Sequence, residues 1–560
     1  MKLSKLTLAV ATVLTASFTT SAFAMVLYVD SKTKQLYTEA GPGRQILGSF
    51  EQVQEGVPVK SGGDVSELRG KLELQDNQIK ALEEHAKESH EEGMVEIKKD
   101  GGIEFKSRDG NFKMAVNGRL QVDSQMNVNQ DLPGSGGGSP GNPTGSGYAA
   151  DSFTGTPATL VPGMPATLND GAGLRRARIG VEGTFFKNTD FKFEYDFTRG
   201  NGLNAGGITD AYIRQNFSKP FSVKVGAFKE PFSMEEATSN RYTTFIERNM
   251  ATNTFVDNLN TYKVGIGANY AEERWGVATS LQTEGVGGYN NAYGSNNKFD
   301  SATSGSAINS NGGVNRNGGG GDTGWEVNAR VTGMPWMESK TKFLHIGTSG
   351  SYINVNNNYK SDGSFSNGGI VFANGLGSNV DRSGVLSTSN LTSGAKGTAT
   401  QRQAEYLTRY GAESALVYGP FSAQGEYIQT DISGKGYNDE SLSGYYGYMT
   451  YFLTGESRNY KSTTGAWDRI KPTRNFDMKG GWGAWEIASG YDSINLNDGV
   501  IKGGRVSTAK LGVNWYPNPH VRVMTNYVHA LDINTGGSKG NTAFNNADLD
   551  IIETRVQLDW

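Results

Sequence analysis

The chain has 560 residues, with 53 Lys and Arg against 57 Asp and Glu, a formal charge of −4, and 76 glycines. Cysteine is absent, which excludes a disulfide framework and thiolate metal sites. So mild a charge over this length gives no basic footprint for nucleic acid. Low mean hydropathy with plentiful aromatics suits many aromatic-rich strands joined by Gly/Asn/Ser loops.

The chain opens on MKLSKLTLAVATVLTASFTTSAFA, where Lys2 and Lys5 precede a short apolar core and Ala22-Phe23-Ala24. This is the pattern of a secretory signal peptide with an A-x-A cleavage site, so residues 1–24 are expected to be removed and the mature chain to leave the cytoplasm. No other stretch approaches the roughly 18 consecutive apolar residues of a spanning helix, so the mature protein is either soluble or crosses a membrane as a barrel. Residues 25–63 hold two short strand-like runs, a turn at Ser31-Lys32 and a Gly41-Pro42-Gly43 break, which together read as a small β element. From Asp64 the spacing changes: Val65, Leu68, Leu72, Gln75, Ile79, Leu82, Ala86 and Ser89 recur at alternating intervals of three and four. That heptad seam predicts a helix over 64–92 that pairs with its own kind as a short coiled coil; a lone amphipathic helix lying on a domain is the alternative.

Beyond Gly93 the period is two. Phe112, Met114, Val116, Leu120 and Val122 share a face opposite Lys113, Asn117, Arg119, Gln121 and Asp123. Likewise Phe191, Phe193, Tyr195 and Phe197 oppose Lys192, Glu194 and Asp196, and Val556, Leu558 and Trp560 oppose Arg555, Gln557 and Asp559. Alternation alone does not separate a soluble sandwich from a barrel with a lipid-facing outside and a charged lumen. Strand number and loop asymmetry do. About sixteen alternating runs follow one another, joined in turn by long Gly/Ser/Asn-rich loops (125–173, 285–322, 355–404) and short turns (186–188, 218–220, 418–420). These are the marks of an outer-membrane barrel wide enough to leave a water-filled channel. Residues 93–560 are therefore expected to form an all-β transmembrane antiparallel barrel surrounded by outer-membrane lipid, with the N-terminal extension in the periplasm.

Two connections do not read as solvated loops. In GAFKEPFSMEEATSNRYTTFIERNM (226–250), Phe232, Met234, Tyr242, Phe245 and Ile246 are too apolar for an exposed tip, which predicts a third long loop folded against the wall and narrowing the pore. Residues 455–481 fall on the short-turn side by parity, yet the segment is long and carries Arg458, Lys461, Arg469, Lys471, Arg474 and Lys479. Folded inward, Lys461, Arg469 and Lys471 would make the periplasmic mouth basic; a solvated surface loop is the other reading.

The ordered series NGRLQVD, GLRRARIGVEG, ITDAYIRQ, EEATSNRYTTFIERN, FLTGESRNYK with IKP after it, GAWEI and LGVNWYPNPHVRVMTNYV spans most of residues 95–560. It resembles the phosphate-selective porins O and P of the bacterial outer membrane. The resemblance implies a homotrimer of sixteen-stranded barrels, an inward third loop and an arginine ladder that draws anions to the constriction. It places Arg119 on the ladder, Arg175 and Arg176 at the family's paired arginines, Asp210 and Lys224 as acidic and basic wall residues, and Ser239 at a loop serine. By strand period alone, Arg176 and Arg178 fall on the lumen face and Ala177, Ile179 and Val181 face lipid. A wall arginine paired with Glu182, Glu194 or Asp196 is the alternative for each.

Two departures point the other way. Glu236 stands where the phosphate-selective members place a loop lysine, and the fifth long loop offers little basic beyond Arg382. A carboxylate beside a phosphate path repels phosphate, and Glu230, Glu235, Glu236 and Glu247 nearly cancel Arg119, Arg175, Arg176, Lys224, Arg241 and Arg248. The expectation is a porin for small hydrophilic solutes, with anions such as phosphate or polyphosphate as cargo; a general diffusion pore is the alternative.

No catalysis, cofactor or metal is expected. The chain lacks H-E-x-x-H and P-loop patterns, and the two G-x-S-x-G strings at Gly137 and Gly536 lie in loops without the strand-to-helix turn of a nucleophile elbow. In a structural reading, residues 25–92 reach toward another envelope component with the barrel as anchor; a clamp holding three barrels together is preferred.

Overall fold

The computed structural model describes residues 25–30, 36–37, 39–42, 44–50, 64–91, 94–97, 103–107, 109–131, 168–198, 207–257, 262–283, 324–359, 362–376, 380–381, 384–535 and 544–560. The expected signal peptide and Arg382 lie outside them. The chain divides into two units, 1–89 and 90–560. In the first, β1 (Met25–Asp30) pairs antiparallel with β2 (Leu36–Tyr37) and β3 (Arg44–Phe50). The heptad region forms one helix, α1 (Asp64–Glu91), whose seam residues Leu72, Ile79 and Leu82 are more than half exposed.

The second unit begins with a hairpin that the period-two reading did not find. Its strands β4 (Met94–Ile97) and β5 (Ile103–Lys106) are four residues each, too short to display a period, and β5 pairs along the start of β6 (Phe112–Asp131). There follow β7 (Gly171–Phe185), β8 (Thr189–Asp196), β9 (Gly207–Asn216) and β10 (Phe221–Lys229), then two helices in the third long loop, α2 (Met234–Ala237) and α3 (Met250–Phe255). Next come β11 (Tyr262–Ala271), β12 (Trp275–Thr283), β13 (Trp325–Ser339) and β14 (Lys342–Asn354). The fifth long loop carries two small hairpins, β15 (Asn357–Tyr359) with β16 (Phe365–Gly368) and β17 (Ala373–Asn374) with β18 (Leu386–Ser387). Beyond it lie β19 (Gln403–Tyr418), β20 (Phe421–Lys435) and β21 (Glu440–Phe452), then the hairpin of β22 (Tyr460–Lys461) and β23 (Ala466–Trp467). The chain ends in β24 (Ala484–Asp498), β25 (Ile501–Asn518), β26 (Val521–Asn534) and β27 (Asp548–Asp559).

Sixteen of these strands, β6–β14, β19–β21 and β24–β27, form a closed antiparallel barrel, with β27 returning onto β6 from Asp548 opposite Asp131 to Asp559 opposite Arg119. Closure leaves the sheet no open edge, which hydrocarbon demands. The walls alternate accordingly. On β6, Leu120, Val122, Met126 and Val128 are exposed outward, whereas Arg119, Gln121, Asp123 and Gln125 are buried inward.

The interior is filled unevenly. On the long-loop half of β14 and β19–β27 the inward residues are apolar too: Ile353, Leu407, Ile428, Ile432, Leu442, Ile494, Val506, Val528 and Ile551. They share one core with Phe255 and Val256 of the third loop and Ile370, Phe372, Val385 and Leu386 of the fifth. The inward charges of β13–β27 are buried apart from half-buried Lys510, whereas Glu182, Asp190, Lys192, Asp210, Arg214 and Lys224 keep solvent access. The open part of the lumen therefore lies against β7–β10 rather than along the axis.

Candidate functional site

The third loop is held inside the barrel by groups from the wall. Ser233, at a left-handed φ of 64°, turns the chain into α2 and accepts a hydrogen bond from the Glu236 amide. Glu426 of β20 accepts from the Met234 and Glu235 amides (3.1 and 2.7 Å), and Asp492 of β24 accepts from the Met250 amide at the start of α3 (3.0 Å). Wall carboxylates thus satisfy amides that the first turns of these helices leave unpaired. Between the helices an almost unbroken run of carbonyls meets side-chain donors from the wall and, at Arg458, from the connection between β21 and β24. Gln121 donates to Asn240 O, Gln557 to Arg241 O, Arg458 to Tyr242 O, Arg522 to Thr243 O and Thr244 O, and Arg555 to Ile246 O (2.5–3.3 Å). A peptide segment away from water needs such partners for its polar groups. Apolar contacts complete the anchoring: Phe232, Met234, Phe245 and Ile246 are buried, and Phe245 meets Tyr448 edge to face at 5.7 Å.

The arginine cluster depends on one irregularity in the sheet. Gln121 lies opposite Arg176 but Val122 opposite Leu174, so Arg175 is the extra residue of a β-bulge. A strict period of two would point Arg175 into lipid. The bulge instead leaves it beside the loop, where its guanidinium forks onto Glu247 (Nε–Oε1 2.6 Å, Nη2–Oε2 3.1 Å). Burial works to raise the Glu247 carboxyl, but Arg175 and Arg555 override it and hold the group well below the usual carboxylate range. Next along β7, Arg176 is 4% exposed and donates from Nη1 to Gln121 Oε1 (2.9 Å); it has no ion-pair partner among the described residues. Arg119 and Arg178 converge on Glu194 (2.8 Å each), Arg178 also reaches Asp196 (2.7 Å), and Arg241 stands 3.8 Å from Glu194. One carboxylate is therefore shared by three guanidiniums.

Other expected site residues fall into different roles. The structure corrects the reading of Glu236 as an obstacle on the anion path: it is fully buried, with Lys229 Nζ at 2.5 Å and Arg248 Nε at 2.9 Å. Burial lifts its pKa above the ordinary value even against Arg248 and Lys229, and in either protonation state it presents no bare charge to a passing ion. Arg248, expected on the path, is also buried and donates to the Glu235 and Thr238 carbonyls, so it holds the loop. Glu235 is buried beside Gln424 (3.3 Å), and half-buried Ser239 accepts from the Arg241 amide (3.4 Å). Asp210 pairs with Lys192 (2.9 Å), while Lys224 Nζ rests 4.1 Å from the centre of the Phe228 ring.

The connection between β21 and β24 packs up against the third loop. Arg330 of β13 donates to its Thr464 and Gly465 carbonyls (3.0 and 2.7 Å), and its Trp467 amide donates to Thr238 Oγ1 (3.2 Å). Within it, Arg458 pairs with Glu486 (3.2 Å), Arg469 pairs with Asp559, and Lys461 and Lys471 are exposed. The sequence reading passed over the clamp residues Arg330, Arg522 and Arg555. Their signal is parity: each falls on the inward face of its strand, and Arg522 lies within the motif LGVNWYPNPHVRVMTNYV.

A closed barrel of this size, with an apolar outside, a charged lumen and an inward loop, defines a channel-forming porin of the bacterial outer membrane. The chain belongs to the phosphate-selective porin O and P family, whose model matches residues 166–560. Porin O of Pseudomonas aeruginosa is 27% identical over 486 residues, covering 83% of this chain and 92% of that relative. Among solved structures, the outer membrane channel DcaP of Acinetobacter baumannii covers 81% of this chain and 99% of its own at a TM-score of 0.41 and 11% identity. The anion-selective porin from Comamonas acidovorans covers 80% and 100% at a TM-score of 0.41 and 9% identity.

Proposed function

We propose that this porin passes small hydrophilic anions by passive diffusion, without catalysis, and prefers oxyanions of phosphate size. The observation that supports this most is the charge balance at the loop: Glu194 is shared by Arg119, Arg178 and Arg241, of which Arg178 also holds Asp196 and Arg241 stands 4.0 Å from Asp559, and Arg176 is buried with no ion-pair partner among the described residues. A guanidinium fork of that kind remains charged and offers paired N–H donors to an oxyanion, which a halide cannot accept as well. On the open side of the lumen, Lys192, Arg214 and Lys224 are offset by Glu182, Asp190 and Asp210, so selectivity belongs to the arginine cluster. The test is a planar-bilayer recording: the zero-current potential in a KCl gradient, then chloride conductance during a phosphate titration. Anion selectivity with block by phosphate supports the reading; anion selectivity without block reduces it to a general anion pore, and cation preference overturns it.

We also propose a homotrimer held by its N-terminal helices. The support is the heptad seam of α1, on which Leu72, Ile79 and Leu82 are exposed in the single chain. Deleting residues 25–92 tests it by native electrophoresis. Dissociation to monomers supports the clamp; an intact trimer that loses an attachment to the cell wall favours the bridging role instead.

A further inference from the structure

The connection between β21 and β24 ends outside the barrel. Trp485 of β24 and Trp515 of β25 are cross-strand partners that alternate with the inward residues Glu486, Asn514 and Tyr516, so both indoles face outward at the short-turn end of the wall. They stack at 5.6 Å, and both donate their ring N–H to one carbonyl, that of Trp482 (3.1 and 2.9 Å). Phe476 packs edge to face on Trp515 at 5.3 Å, and its amide donates to the Pro517 carbonyl near the end of β25 (2.7 Å). Residues 474–483 are therefore laid over the outer rim, whereas Arg458 and Trp467 of the same connection are buried within.

This turn is built around Asp477. Its Oδ1 accepts from the Lys479 and Gly481 amides (2.8 Å each) and its Oδ2 from the Arg474 guanidinium (2.8 Å). The closure holds Met478 at a φ of 55°, a left-handed conformation that side chains disfavour, and leaves it 87% exposed. Trp482, whose carbonyl ties the indole pair, is 70% exposed. In water, two large apolar side chains held out on an ordered turn are unfavourable. Between Lys471 and Gly483 stand three basic residues, Lys471, Arg474 and Lys479, against Asp477 alone, and all four are exposed.

We propose that this turn binds an anionic phospholipid of the periplasmic leaflet, with Met478 and Trp482 among the acyl chains and Arg474 and Lys479 at the phosphate. Position and charge select the occupant. Ile487 and Val513, the next outward residues along β24 and β25, are exposed on the apolar band of the wall, so what meets the turn from that side is lipid and not a soluble peptide. Tryptophan settles at such a boundary, and basic side chains there extend to the headgroups. Because Trp485 and Trp515 direct their N–H groups to Trp482, headgroup contact falls to the basic residues, whose surplus charge favours anionic over zwitterionic lipid.

The absence of cysteine makes the test direct. Met478→Cys, and Trp482→Cys as a second reporter that keeps the backbone carbonyl, are labelled with bimane alongside Val331→Cys on β13, an outward residue 46% exposed. Each barrel, its fold checked by heat-modifiable gel shift, is placed in mixed phosphatidylglycerol and phosphatidylcholine vesicles in which one lipid or the other carries brominated chains. Competitive quenching should give a preference for phosphatidylglycerol of at least about fivefold at 478 and 482 and none at 331. Lys479→Gln should lower that preference about fivefold, one basic residue's share of the attraction to an anionic surface, and Lys479→Arg should retain it. No quenching at 478 and 482 by either lipid puts the turn in water or under another protein and overturns the site. Equal quenching by both lipids, or a preference unmoved by Lys479→Gln, leaves the turn in lipid without headgroup recognition and overturns the proposal as well.

Discussion

Replacing Arg176 by Gln removes one buried positive charge and little volume. At an effective permittivity near 20, a unit charge about 10 Å from a permeating ion is worth roughly 1.7 kcal/mol, attractive to chloride and repulsive to potassium, so the chloride-over-potassium permeability ratio should fall on the order of a hundredfold or more. The zero-current potential reads that change; an unaltered potential would place the anion path elsewhere. Glu236→Gln should behave differently. It leaves half-buried Lys229 and buried Arg248 without their shared counter-charge, Arg248 keeping only Asp257 at 3.7 Å, a loss of up to about 3–5 kcal/mol. The thermal transition of the folded barrel on a denaturing gel should drop, with no gain in phosphate block. A stronger block at an unchanged transition temperature would return Glu236 to the path. The two residues also mark what sequence discloses at this scale. Inward orientation of Arg119, Arg176 and Arg178 follows from period two, but depth does not, and a glutamate beneath a loop reads the same as one upon it.

Deletion of Arg175 separates the bulge from the barrel. Because Arg176 already faces Gln121 and Leu174 already faces Val122, removing the residue between them leaves regular pairing on both sides. The variant should therefore assemble with a normal heat-modifiable gel shift while losing the Glu247 contact and part of its anion preference. Failure to assemble would show that the bulge shapes the wall itself. Arg522→Ala tests the clamp. It strips the Arg522 donor from the buried Thr243 carbonyl, at about 1–3 kcal/mol for an unsatisfied group, while the Thr244 carbonyl keeps the Asn514 amide (3.0 Å). Single-channel records should become noisier with ion selectivity little changed, whereas a quiet trace would mean that Asn514 and Arg458 suffice. The elements themselves were largely legible, since all sixteen barrel strands announce themselves by alternation and turn chemistry. The β4–β5 hairpin was too short to show a period. The bulge was hidden because one inserted residue leaves the pattern intact on either side of it.

For the whole molecule, the number of strands overstates the aperture. Core residues such as Ile428, Ile432 and Leu442 turn inward where a plain water pore would carry polar groups, and the fifth loop covers them. Sequence alone did not reveal this, because a strand that is apolar on both faces still alternates in size and still reads as a strand, and its loop partner lies far along the chain. Excising residues 362–398 should raise single-channel conductance severalfold and leave the reversal potential nearly unchanged, since the arginines stay in place. A large shift in reversal potential would mean that the fifth loop itself contributes to selectivity. The filled side has a further consequence in the language of fields. It is a block of low permittivity beside the ion path, so field lines from the guanidiniums are turned into the narrow remaining water instead of spreading through a wide electrolyte. Mobile counter-ions gather poorly in so thin a layer, and the ordinary Debye length, about 10 Å at 0.1 M salt, no longer sets the range of attraction. The anion preference of this channel should then outlast added salt that would flatten it in an open tube lined by the same charges.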